Sequence, residues 1–203
     1  MTSPARRSRA DFIDPQQVRE LQEEFADRHR PIVIIGPMAA GKSYIGMHLA
    51  RFYGYEFIDS DQVLVERYGA VPDIFKKYGE AGFRQREAEI IREILENPAH
   101  RNTVLSLGGG AVMTPAVAEL LAHETVIYIS IDVATVAPRI VGNKNRPLLQ
   151  PNPVEKWQEI FAARRGRYES LASFTLNASG SQTITDMTAQ IQQFVLSTRK
   201  ANS

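Results

Sequence analysis

Residues 31–46 read PIVIIGPMAAGKSYIG, and the reading of this stretch decides the fold. Ile32–Ile35 is a run of β-branched apolar residues, the pattern of a strand buried on both faces. Gly36 ends the run, and Gly36 to Ser43 fit G-x-x-x-x-G-K-[ST], the loop that holds phosphate. Glycine lets the backbone turn so that its N–H groups converge on phosphate oxygens. Lys42 brings a positive charge to the β- and γ-phosphates, and Ser43 offers a hydroxyl to Mg²⁺. Ile45, Leu49 and Phe52 keep helical spacing, so a helix beginning near Gly41 sets its positive end beneath the phosphates. A pattern this short also occurs by chance. A buried strand before it and an amphipathic helix after it are the context that a phosphate loop requires.

The whole chain sets the bounds. Its 203 residues are enough for one sizeable core. A net charge of +1 leaves no broad basic footprint, so no nucleic-acid partner is expected. Cysteine is absent, which excludes a disulfide framework and thiolate chemistry. His29, His48, His100 and His123 are far apart and show no metal-ligand spacing. No apolar run approaches the roughly 18 residues of a membrane span, and the polar N-terminus lacks a secretory stretch. The expectation is a soluble cytoplasmic protein with no membrane partner.

Residues 1–10 carry Arg6, Arg7 and Arg9 among small residues and read as a disordered arm. Asp14 and Pro15 then open a helix expected over residues 15–28. Residues 1–30 are thus an N-terminal extension, and residues 31–200 the functional domain. Strands are expected at residues 56–58, 103–107, 125–129 and 174–176, with helical patterns between them. Strands alternating with helices predict an α/β parallel sheet covered on both faces. Ligands then sit at the carboxyl ends of the strands.

The candidate site residues cluster at those ends. Asp59 and Asp61, two apart at the end of the second strand, should face the crevice together. One could hold a metal-bound water and the other a substrate hydroxyl; alternatively Ser60 or Asp61 caps the next helix. Arg84 sits at the front of a helix marked by Phe83, Glu87, Ile90, Ile91 and Ile94. Gly108, Gly109 and Gly110 follow the third strand, where backbone must approach a ligand closely. Residues 142–153, GNKNRPLLQPNP, have the length and composition of a lid, with Lys144 and Arg146 as its charges. Asn152, Pro153 and Glu155 restart a helix as cap, first position and third. Trp157, Ile160, Phe161, Arg164 and Tyr168 share one face of it. Arg164 on that inward stripe needs an anionic partner, either a protein carboxylate or a ligand.

Taken in order, G-P-M-A-A-G-K-S, D-S-D, G-F-R, G-G-G-A-V, R-P-L-L and R-x-x-x-Y resemble the shikimate kinases. The resemblance runs from about residue 30 to residue 179. It implies a three-layer α/β fold with a parallel five-stranded sheet of the nucleoside-monophosphate-kinase type and a mobile lid. It implies transfer of the γ-phosphoryl group of ATP to the 3-hydroxyl of shikimate, with Mg²⁺, by a monomer. By this resemblance Gly36, Met38, Ala39, Ala40, Gly41, Lys42 and Ser43 hold ATP, and Ser43 and Asp59 serve the metal. Asp61, Arg84, Gly109 and Arg164 hold shikimate, and Arg146 swings from the lid onto the phosphates. Lys42, Asp61 and Arg146 carry the chemistry, and Ser181 or Gln182 is nearest to a late nucleotide contact. There are departures. Ala39 replaces a common glycine, Tyr44 a small threonine, and Pro138 should kink or end the helix before the lid. A gluconate kinase would share the phosphate loop without the D-S-D and G-G-G-A-V pairing. A silent nucleotide-binding module would have lost Lys42, Asp61 or Arg146.

Overall fold

The computed structural model describes residues 30–142 and 149–200. The N-terminal extension, with the helix expected over residues 15–28, and the lid residues Lys144 and Arg146 lie outside the described residues. Five strands form one parallel sheet: β1 (Ile32–Ile35), β2 (Glu56–Asp59), β3 (Thr103–Ser106), β4 (Thr125–Ser130) and β5 (Phe174–Asn177). Their spatial order is β2-β3-β1-β4-β5. Seven helices cover the sheet among the described residues: α1 (Lys42–Tyr53), α2 (Ser60–Tyr68), α3 (Val71–Glu96), α4 (Pro115–Leu121), α5 (Val133–Ile140), α6 (Pro153–Leu171) and α7 (Ile184–Lys200). None is long and apolar enough to cross a membrane.

The alternation of β1 builds two cores. Ile32 and Ile34 face one apolar layer with Ile45, Leu49, Val136, Trp157 and Ile191. Val33 and Ile35 face the other with Leu64, Ile90, Ile91, Val117 and Tyr168. A strand buried on both faces needs this continuous apolar run. Helix α6 contributes to both layers, Trp157 to the first and Tyr168 to the second. It therefore passes from one face of the sheet to the other.

Local chemistry sets the helix limits. Asp59 is the cap of α2, its carboxylate accepting from the N–H groups of Asp61 and Gln62. The cap is thus neither Ser60 nor Asp61. Gly79, at φ 67° and ψ −176°, breaks α3. Helix α5 continues through Pro138 to Ile140, where Val141 caps it, so the proline neither ends the helix at its own position nor breaks its helical backbone. Asn152 opens α6 without a side-chain cap, because its amide donates instead to Glu155 at 3.0 Å.

Strand register fixes the sheet's working edge. Ser106 pairs with Ile34 on one side and Asp59 on the other. The phosphate loop leaves β1 at Gly36, whose φ is +145° and whose absent Cβ would lie 2.7 Å from the Ile129 carbonyl. Ala39 occupies the left-handed region at φ 63°. Two substitutions in this loop should therefore act in opposite directions. Gly36→Ala should lower the unfolding free energy by at least about 2 kcal/mol, through strain and overlap. Ala39→Gly should raise it by up to about 1 kcal/mol, as relief of left-handed strain exceeds the added chain entropy. Urea unfolding of both variants checks this; a shift of the same sign in both would contradict it.

Candidate active site

The phosphate loop is held from behind by side chains. Its N–H groups can face a ligand only if its carbonyls face outward, and outward carbonyls need donors. Lys42 Nζ donates to the Pro37 carbonyl at 3.0 Å. Trp157 Nε1 donates to the Met38 carbonyl at 2.9 Å. Arg139 Nη1 donates to the Ala39 carbonyl at 3.0 Å. Three successive carbonyls are thus satisfied from three elements, α1, α6 and α5.

In front of the loop lies a cleft of about 750 Å³. Met38, Ala39, Ala40, Gly41, Lys42 and Ser43 line it, joined by Asp61 and Gly109. Arg139, Gln182, Ile184 and Met187 also line it. Of the two candidates after β5, Gln182 lines the cleft and Ser181 does not. Tyr44 stands at the mouth, 53% exposed.

Ser43 Oγ donates to Asp59 Oδ2 at 2.5 Å and lies 3.4 Å from Ser106 Oγ. Hard oxygen donors at the foot of a phosphate loop suit a divalent cation that completes its shell with phosphate and water. No group of three or more His, Cys, Asp or Glu among the described residues is placed to hold a metal unaided.

The glycine run separates the loop from a charged cluster. At Gly109 an added Cβ would lie 3.3 Å from Met38 N and 3.4 Å from Gly36 O. At Gly108 it would meet Asp61 Oδ1 at 2.5 Å and Glu87 Oε1 at 3.0 Å. At Gly110 it would meet Arg84 Nη2 at 2.7 Å. Ser60, between the two aspartates, accepts from Gly108 N at 3.3 Å and so ties the turn to α2. Arg84 Nη1 donates to Glu87 Oε2 at 2.7 Å. Glu87 is only 2% exposed. The positive charge of Arg164 pulls against the upward shifts of both Glu87 and Tyr168.

Burial shifts the acids upward. Asp61 faces the open cleft, but protein crowds its carboxyl from the Gly108 side. That crowding and the negative charge of Asp59 raise its pKa, while Lys42 and Arg84 pull it down. Burial raises Glu87 as well, against the pull of Arg84. Burial pushes the Tyr168 phenol up to about 12. Its hydroxyl therefore remains a donor at neutral pH, and it donates to the Gly109 carbonyl at 2.5 Å.

Asp61 and Asp59 do meet at one edge, for a reason other than strand alternation. The strand ends at Asp59, and Asp61 lies in the first turn of α2. Glu87 and Arg139 were not singled out by sequence. Glu87 carried a signal, a charge on the apolar stripe with Phe83, Ile90 and Ile91. Arg139 carried none, since it reaches Ala39 across 100 residues.

Comparison with known proteins agrees with this geometry. A family model described as Shikimate kinase matches residues 38–195. The shikimate kinase of Xanthomonas axonopodis pv. citri is 42% identical over 148 residues, covering 71% of this chain and 81% of that protein. The shikimate kinase of Acinetobacter baumannii, solved in complex with shikimate, superposes with a TM-score of 0.77 at 35% identity. That match covers 86% of this chain and 97% of the other. A gluconokinase from Sinorhizobium meliloti 1021 shares the fold alone, at 17% identity and TM-score 0.57 over 85% of this chain and 95% of its own. Spanning most of the length of these relatives and matched by the family model over residues 38–195, the chain belongs to the shikimate kinase family.

Proposed function

We propose that the enzyme transfers the γ-phosphoryl group of ATP to the 3-hydroxyl of shikimate, giving shikimate 3-phosphate and ADP. One observation carries the reading. The backbone of Gly109 lies against the phosphate loop, with the Asp61, Glu87 and Arg84 cluster beside it. A donor phosphate and an acceptor can therefore sit in one cleft within transfer distance. Phosphoryl transfer asks the protein for positioning and charge stabilisation more than for covalent chemistry.

In this reading the backbone of Gly36, Met38, Ala39, Ala40, Gly41 and Lys42 cradles the phosphates. Lys42 places its charge at the β- and γ-oxygens, and Arg146 adds a second charge from the lid. Arg139 and Gln182 border the base end of the nucleotide. Ser43 and Asp59 would hold Mg²⁺, which when bound neutralises charge on the β- and γ-phosphates. Arg84 and Arg164 grip the carboxylate of shikimate, and Gly109 forms its floor. Asp61 accepts the hydrogen of the attacking hydroxyl, and its raised pKa makes it a better proton acceptor than an ordinary aspartate. Residues 31–200 act as one catalytic domain, a cytoplasmic monomer.

A coupled assay with ATP, Mg²⁺ and shikimate, with gluconate as control, tests the assignment. Turnover should require shikimate. Lys42→Met should lower kcat by about 10²–10³-fold with the fold retained. Arg164→Ala should raise the shikimate KM by about 10–100-fold, the value of a charged contact, with the ATP KM little changed. Equal turnover of gluconate would overturn the substrate, and a normal KM in the Arg164 variant would return that residue to a structural part.

Asp61 also makes stability depend on pH. The folded state holds its proton more tightly than the unfolded chain, so the group favours folding below the ordinary value of 3.8. That contribution is lost as pH rises through the folded value. Asp61→Asn removes the charge while keeping the shape. At neutral pH the variant should melt above the wild type yet be nearly inactive. The gap in Tm should close as pH falls toward 3.8. A gap that is constant from neutral to acid pH would show that the carboxylate carries no such cost.

A further inference from the structure

Helix α6 touches both halves of the site through two hydrogen bonds that neither helix nor sheet requires. Trp157 Nε1 donates to the Met38 carbonyl in the phosphate loop. The Tyr168 hydroxyl donates to the Gly109 carbonyl in the glycine turn. The loop and the turn in turn abut at Gly109 and Met38. Helix, loop and turn thus close a triangle.

Both rings are fixed in place. Trp157 stacks on Phe161 with centroids 4.9 Å apart, in one apolar layer. Tyr168 stacks on Tyr128 at 5.4 Å, in the other. Trp157 and Tyr168 are separated by about three helical turns on a single stripe. Arg164 lies on that stripe one turn before Tyr168, and it makes no ion pair within 4.0 Å among the described residues.

We propose that Trp157 and Tyr168 are positioning residues through which α6 sets the separation between the acceptor and the phosphate loop. The inference rests on the assignment of Arg164 and Gly109 to the acceptor. An acceptor held by Arg164 is held by the same helix that grips Met38 and Gly109. Its hydroxyl is thereby registered against the phosphates, and a misplacement near 1 Å can cost about 10²-fold in rate. Without the Tyr168 hydroxyl, the Gly109 turn moves independently of the helix that carries Arg164. Without the Trp157 N–H, the phosphate loop does. If the two bonds served only to satisfy buried carbonyls, losing them would lower Tm and leave the kinetics of the folded protein alone.

Tyr168→Phe deletes one oxygen and keeps the stack on Tyr128. Trp157→Phe deletes the donor and keeps a ring against Phe161. Both are made in the full chain and assayed well below their own melting temperatures. Each should lose about tenfold or more in kcat. The shikimate KM should move less than kcat in the Tyr168 variant, because Arg164 remains. The double variant should lose less than the product of the two single losses, since each frees the same register. Retention of kcat within about twofold in either variant, whatever its Tm, would overturn the proposal, as would multiplicative losses in the double variant. A wild type inactive on shikimate would instead sink the assigned function, so the two failures are distinct.

Discussion

Two backbones meet at the carboxyl edge of the sheet with no side chain between them. Gly109 lies against Met38 and Gly36, at a distance where even one added carbon would sit 3.3 Å from the loop nitrogen. The flanking glycines extend the same constraint. Gly108 leaves room for the carboxyls of Asp61 and Glu87, and Gly110 for the guanidinium of Arg84. The charged groups can close on the turn because it has no side chains of its own. A single Cβ here would displace a charge from the cluster, and a displaced charge in a partly buried site loses much of its value.

The cluster is not neutral in its demands. Two carboxyls with raised pKa, Asp61 and Glu87, share one paired arginine, Arg84. Burying such groups costs free energy unless each finds a partner. Glu87 already occupies one edge of Arg84 through a 2.7 Å bond. Arg164 has no comparable protein anion within 4.0 Å among the described residues. The charge of Arg84, by contrast, is already partly compensated within the protein.

What was legible in the sequence was what is local. Short runs rich in apolar and β-branched residues between helical patterns located all five strands to within one residue at either end, most plainly β1, which is buried on both faces. The phosphate loop, the glycine run and the inward stripe of α6 were legible for the same reason. The parts that failed to show are contacts between distant residues. Trp157 reaches Met38 across 119 positions, Arg139 reaches Ala39 across 100, and Tyr168 reaches Gly109 across 59. Periodicity places a ring on a face but does not say which carbonyl its polar atom meets. The aspartate pair shows the converse. Its members converge as expected, although Asp59 ends the strand and caps α2 while Asp61 is already helical.

Ala39 shows how such contacts act on the loop itself. A non-glycine residue at φ 63° is strained by about 1–2 kcal/mol relative to the right-handed region. Strain of this size persists only where the surroundings over-determine the conformation. Here they do. The carbonyls of residues 37, 38 and 39 are each held by a side chain, from Lys42, Trp157 and Arg139. Relaxing Ala39 would turn its carbonyl away from Arg139 and disturb Met38, whose carbonyl is bound to Trp157. Each of those bonds contributes about 1 kcal/mol or more, the arginine bond at the upper end because its donor is charged. Together they exceed the strain. The loop can therefore dispense with a glycine that its backbone would otherwise demand, because α5 and α6 hold from outside the shape that glycine would have allowed from within.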